Sequence, residues 1–172
     1  MPPFASRFFV FLAAAALGGL ASDAPAPMQP AGPVDAIAII VHRSNTVDAL
    51  TLADLRRIFM LDTQTWPNGR KITLVLRDKS ERERQEAIQM ICGLTLAQYE
   101  RHVLFQTFRG TTTGGGPRAI LSASAMLRFV FNAPGAIGYL PADQADGSIK
   151  VLRIDNLLPS DPGYPLRRKP SR

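Results

Sequence analysis

The chain has few of the residues on which most catalytic and metal sites depend. Its 172 residues include one cysteine, Cys92, and two histidines, His42 and His102. A single cysteine excludes an intramolecular disulfide, and its position in an apolar helical pattern predicts a buried thiol. Neither histidine has the spacing of a metal ligand or a catalytic triad, so both are predicted to be structural or solvated. The HExxH, GxSxG, Walker-loop and CxxC motifs are also missing, which argues against an enzyme and against a bound cofactor.

The sequence also lacks an apolar run long enough to cross a bilayer comfortably. The longest run, residues 8–20, is shorter than the roughly 20 residues that a membrane-spanning helix needs. It follows a short segment with one positive charge and precedes the small residue Ala21, which is the pattern of a secretory signal. We therefore expect residues 1–21 to be a signal peptide and the protein to be periplasmic. A retained membrane anchor is the alternative.

Composition divides the remaining chain into three parts. Residues 22–33 are rich in proline and alanine and predict a flexible linker. Residues 159–172 are rich in proline and basic residues and predict a disordered tail. A single folded domain is expected between them, at residues 34–158. The net charge of +6 is compatible with anionic ligands or with an anionic envelope surface.

Hydrophobic patterns within this domain predict strands alternating with helices. Short apolar runs at residues 35–42, 71–76, 136–140 and 149–154 predict strands. Capping residues predict the starts of four helices, and Gly93 predicts the end of the second. The capping residues are Thr51, Ser80, Thr95 and Ser122. This alternation indicates a layered α/β domain.

The most specific candidate for ligand binding is the segment that joins the second strand to the second helix. Arg77 could hold two oxygens of an anion, and the Ser80 hydroxyl could donate a third hydrogen bond beside the helix amino terminus. The alternative is that Ser80 only caps the helix and that Arg77 pairs with Glu81 or Glu83. Those two carboxylates would also repel an arriving anion.

Three further residues complete the predicted anion site. Thr111 and Thr112 belong to a Gly/Thr loop at residues 110–116, which could form a backbone nest for an oxyanion. The alternative is that this loop is only a flexible connection, which is the more common role of a glycine run. Ser44, in the turn after the first strand, is the third predicted contact.

Four phenylalanines at helical spacing raise the question of a nucleic-acid surface. Phe105, Phe108, Phe129 and Phe131 lack interleaved lysine and arginine, so we expect no nucleic-acid partner. Their spacing instead predicts that they belong to the core.

Four segments resemble the phosphate-binding proteins of ABC transporters, especially their short periplasmic relatives. They are AIAIIVHRSN, LTLADLRRIFMLDTQTWPNG, ITLVLRDKS and NAPGAIGYLP, and the resemblance covers about residues 36–154. The resemblance implies a single lobe of the type 2 periplasmic-binding-protein fold, with a central mixed sheet flanked by helices. It also implies non-catalytic binding of phosphate or another small anion, with an ABC-transporter permease or an envelope protein as a partner.

The same resemblance defines two competing functions. Arg77 and Ser80 match the family's phosphate-binding segment, but Glu81, Arg82 and Glu83 replace its Gly-Thr part. The resemblance also implies that the sequence before the opening strand, which supplies much of the first lobe in two-lobed receptors, has no counterpart here. The first function is therefore phosphate binding at Arg77 and Ser80. The second is an accessory scaffold that binds no solute, in which Glu81 or Glu83 pairs with Arg77 and an apolar patch lies on the surface.

Overall fold

The computed structural model describes residues 35–110 and 116–168. The predicted signal peptide and linker lie outside the described residues, as do Thr111 and Thr112 of the Gly/Thr loop. Among the described residues, no helix has the length and apolar character needed to cross a membrane.

The central element is a five-stranded mixed sheet in the order β4-β3-β5-β1-β6. Strand β3 runs parallel to β4 and β5, whereas β1 runs antiparallel to β5 and β6. A separate two-stranded parallel sheet joins β2 and β7. The strands are β1 (Ile37–Val41), β2 (Ala49–Leu50), β3 (Thr73–Arg77), β4 (Arg118–Ile120), β5 (Ala136–Pro141), β6 (Lys150–Val151) and β7 (Arg153–Ile154).

Within the described part of the chain, four α-helices accompany the sheet, and the core occupies both of its faces. They are α1 (Leu52–Phe59), α2 (Arg82–Cys92), α3 (Leu96–Phe108) and α4 (Ala123–Asn132). Alternate residues of β1 enter two different hydrophobic clusters: Ile39 packs with residues of α1 and α2, and Ile40 packs with residues of α4. Because successive side chains of a strand point to opposite faces, the sheet is covered by helices on both sides. The predicted α/β class and mixed central sheet are confirmed.

Three of the four predicted helix starts are confirmed by capping hydrogen bonds. The hydroxyls of Thr51, Thr95 and Ser122 each accept a hydrogen bond from the backbone N–H three residues later. The fourth prediction was wrong, because the residue before the first turn of α2 is Glu81 and not Ser80. The Glu81 side chain makes no capping hydrogen bond. The Ser80 hydroxyl instead donates to Asp78 Oδ1 at 2.8 Å. The predicted end of α2 at Gly93 is confirmed by its left-handed backbone, φ 70°.

The predicted end of the folded domain at Leu158 was wrong for residues 159–168. Tyr164 and Leu166 are buried in the larger core cluster. The Leu166 carbonyl accepts from the Ile37 N–H at 2.9 Å, and the Arg168 N–H donates to the Asp35 carbonyl at 2.8 Å. This segment therefore extends the pairing at the start of β1, and the folded domain reaches at least Arg168.

The prediction that the phenylalanines belong to the core was also largely wrong. Phe105, Phe108 and Phe131 are 54%, 83% and 52% exposed, and Phe129 is partly buried. Helical spacing shows which residues share a face, but it does not show whether another element covers that face. Cys92, in contrast, is buried as predicted. Burial raises the pKa of its thiol to about 11, so the group stays protonated near neutral pH.

Candidate anion site

Arg77 is the last residue of β3, and two side chains hold its backbone. The Arg77 N–H donates to the Tyr139 hydroxyl oxygen at 3.2 Å, and the Arg77 carbonyl accepts from Arg84 Nη1 at 3.1 Å. Burial raises the pKa of Tyr139 above its usual value, so this hydroxyl remains neutral. These contacts fix the position from which the Arg77 side chain extends.

The Arg77 guanidinium is buried and faces two carboxylates of its own chain. Nε donates to Glu83 Oε2 at 3.1 Å, and Nη2 lies 3.4 Å from Glu81 Oε2. The side chain of Arg77 is only 8% exposed, while those of Glu81 and Glu83 are 39% and 22% exposed. Among the described residues, Nη1 has no hydrogen-bond partner. The carboxylates thus occupy two of the three guanidinium nitrogens that could bind an anion.

Ser80 is also engaged within the chain. Both its backbone N–H and its hydroxyl donate to Asp78 Oδ1, at 3.1 and 2.8 Å. These two bonds lower the pKa of Asp78, because they stabilise the charged carboxylate. The hydroxyl predicted to bind an anion therefore already has an anionic acceptor.

A second buried arginine, Arg84, lies next to Arg77, and the sequence did not indicate it as a site residue. Arg84 is 7% exposed, and its Nη2 is 3.5 Å from Glu100 Oε1 of α3. Lys79 Nζ contacts the same oxygen at 3.1 Å. Glu100 is distant in sequence, so only the packing of α3 against α2 brings it here, and no local pattern could have indicated the contact.

The charges around Arg77 favour a structural role over anion binding. Three cations, Arg77, Lys79 and Arg84, pair with three carboxylates: Glu81, Glu83 and Glu100. These ion pairs balance in charge, so they leave no excess positive charge to attract an anion. Glu81 and Glu83 also lie at the amino-terminal end of α2, where the helix dipole stabilises them.

The structure does not bring Ser44 to Arg77. Val41, at the carboxyl end of β1, pairs with Ile137 near the amino end of β5. Strand β5 is parallel to β3, so the turn that contains Ser44 lies at the opposite end of the sheet from Arg77. The Ser44 hydroxyl is exposed and lies 2.8 Å from His42 Nδ1.

The histidines and acidic residues of the described chain form no metal cluster. His102 Nε2 lies 2.9 Å from the Met60 carbonyl oxygen, a contact between α3 and the end of α1. Within residues 35–110 and 116–168, no group of three or more histidine, cysteine or acidic side chains could hold a metal ion.

Solved structures of phosphate-transport receptors share this fold. An ABC-type phosphate transport receptor from Vibrio cholerae matches with a TM-score of 0.58 and 22% identity, over 73% of this chain and 48% of that one. A putative phosphate ABC transporter substrate-binding protein with bound phosphate from Clostridium perfringens matches with a TM-score of 0.59 and 20% identity, over 72% and 46%. PstS from Borrelia burgdorferi matches with a TM-score of 0.55 and 16% identity, over 70% and 47%.

These matches confirm the predicted periplasmic-binding-protein fold. They also show that the chain spans about half the length of the receptors it matches. No protein-family model matches the sequence, and no significant match exists among curated proteins.

Proposed function

We propose that this chain is a non-catalytic, one-lobed binding module of the phosphate-receptor fold. It acts in the cell envelope after export and contacts another envelope component instead of capturing phosphate at Arg77. The observation that carries this proposal is the ion pairing of the buried Arg77 guanidinium with Glu83 and Glu81.

The buried Arg77 guanidinium already has its charge compensated by Glu83 and Glu81, so phosphate would supply no charge that it lacks. An arriving phosphate must either displace these two carboxylates, which gives up their ion pairs with Arg77, or bind beside them against their repulsion. Weak or absent phosphate binding follows.

A second candidate function is phosphate or anion binding in the manner of the receptors, with an ABC-transporter permease as partner. It is favoured by Arg77 Nη1, a buried donor without a hydrogen-bond partner among the described residues. This nitrogen lies at the carboxyl end of a parallel strand, where ligands bind in open α/β sheets. The Clostridium perfringens neighbour, whose fold is similar, contains bound phosphate.

Thermal unfolding at fixed ionic strength separates the two candidates. We expect the protein from Ser22 onward to unfold at the same temperature in phosphate and in sulfate. A receptor with phosphate at 100 times its Kd would gain about 2.7 kcal/mol, which raises Tm by several degrees for a domain of this size.

The Ser80→Ala variant provides the control, because Ser80 is exposed and its loss leaves the core intact. A rise in Tm specific to phosphate would contradict the proposal and support the receptor function, and its loss in Ser80→Ala would place the phosphate beside Ser80. Equal Tm values in phosphate, sulfate and chloride at the same ionic strength, with and without the substitution, support the proposal.

A further inference from the structure

Helix α3 carries large apolar side chains on its solvent-facing side, where the surface helix of a globular protein normally has polar residues. Leu104, Phe105 and Phe108 are 57%, 54% and 83% exposed. Arg101 is also exposed and precedes Leu104 by three residues and Phe105 by four. Residues at these spacings share one face of a helix, and we call Arg101, Leu104, Phe105 and Phe108 the α3 ridge.

The ridge points away from the core. At about 100° per residue, Phe108 and Arg101 lie on the opposite side of α3 from Tyr99 and Val103. Tyr99 is fully buried and Val103 packs against the core cluster. The ridge side chains therefore do not form part of the hydrophobic core of this domain, and such an exposed apolar patch marks a contact surface.

The two charged residues on the exposed face of α3 and directly after it, Arg101 and Arg109, are positive. The Arg109 guanidinium lies 4.2 Å from the centre of the Phe105 ring, and Arg101 stands at the other end of the ridge. Glu100 is the only acidic residue of α3, and it is held by Lys79 at 3.1 Å and Arg84 at 3.5 Å. A partner that covers the ridge must accept apolar side chains and complement the positive charges of Arg101 and Arg109.

We propose that the α3 ridge binds the surface of an anionic lipid bilayer. Protruding leucine and phenylalanine side chains can enter the boundary between headgroups and acyl chains, while flanking arginines contact the anionic headgroups. This proposal names a partner for the binding module proposed above and rests on that proposal.

Vesicle cosedimentation tests the ridge directly. The chain from Ser22 onward retains both core clusters and is mixed with vesicles of phosphatidylcholine alone, or of phosphatidylcholine with phosphatidylglycerol at about two to one. We expect binding to the mixed vesicles only, weakening as salt is raised because the arginine contacts are screened. Phe105→Ala with Phe108→Ala is expected to reduce the partition coefficient about tenfold or more.

Phe131→Ala is the matched control, because Phe131 is similarly exposed but belongs to α4. It should bind the mixed vesicles like the unchanged protein, and all variants should keep the original Tm. The proposal is overturned if the mixed vesicles bind no protein, or if Phe131→Ala reduces binding as much as the ridge variant. It is also overturned if the ridge variant binds the vesicles like the unchanged protein but no longer self-associates. That result would identify a second copy of the chain as the partner that covers the ridge.

The vesicle and phosphate experiments can fail separately. Phosphate-specific stabilisation would contradict the proposed function while leaving vesicle binding measurable. Absence of vesicle binding would overturn the ridge proposal and leave the structural role of Arg77 unaffected.

Discussion

We expect a chain that ends at Leu158 to lose most of its folded population at room temperature. Removing the carboxy-terminal segment deletes the buried side chains of Tyr164 and Leu166. Each deletion of a large core side chain costs about 2–5 kcal/mol, and their sum approaches the whole stability of a domain, about 5–15 kcal/mol. The hydrogen bond from the Tyr164 hydroxyl to the Ile37 carbonyl, 3.0 Å, is lost as well. Circular dichroism during urea unfolding measures the effect.

A chain that ends at Arg168 is the matched control. It keeps the contacts of Tyr164 and Leu166 and the bonds to Asp35 and Ile37, so it should unfold at the same urea concentration as the full-length protein. Equal stability of the two truncated chains would show that residues 159–168 do not belong to the folded domain.

The second large effect is expected for Gly135→Ala, in the loop between α4 and β5. An added Cβ would overlap the backbone carbonyl oxygen of Lys71. The Gly135 carbonyl also accepts two hydrogen bonds, from Trp66 Nε1 at 3.1 Å and from the Thr73 N–H at 3.0 Å. Relieving the overlap moves this backbone and weakens both bonds, so we expect a loss of about 3 kcal/mol or more. Tm should fall by roughly 10 °C or more.

Gly147→Ala is the control for this substitution. Nothing lies within 4 Å of the Cβ that it would add, and its φ is not positive. Its Tm should stay within about 2 °C of the original value, since surface substitutions usually change stability little. A similarly small change in Gly135→Ala would contradict the close approach of Lys71 and Gly135.

Local patterns predicted the elements whose evidence is local. Neighbouring residues determine apolar runs and helix caps. The sequence therefore predicted strands β1, β3 and β5 and the caps at Thr51, Thr95 and Ser122 correctly. The region at residues 149–154 was predicted as one strand, but β6 and β7 there pair with different partners. Pairing across the chain decides such short strands, and composition does not reveal it.

Composition misled the prediction at the carboxyl end. Prolines and arginines dominate residues 159–172, yet Tyr164 and Leu166 within them fill sites beside β1. Two apolar residues are too few to change an average over the segment. Their importance depends on the space that the rest of the fold leaves for them.

The candidate site was predictable only in part. Pairing of Arg77 with Glu81 or Glu83 was open to sequence reasoning, because the residues lie within six positions of one another. Tyr139 and Glu100 approach the site from β5 and α3. The separation of Ser44 from Arg77 follows from the antiparallel pairing of β1 with β5, which the sequence does not specify.

Arg77 is held by carboxylates of its own chain, and the resonance of its side-chain Nε–H reports on this pairing. In an isotope-labelled protein, this resonance should be visible, should move in Glu83→Gln, and should stay in place as phosphate is added at constant ionic strength. Glu86→Gln should leave it unmoved, because Glu86 pairs with Arg82 and Arg168 instead. A saturable shift of the Arg77 resonance with phosphate but not with sulfate would contradict the account.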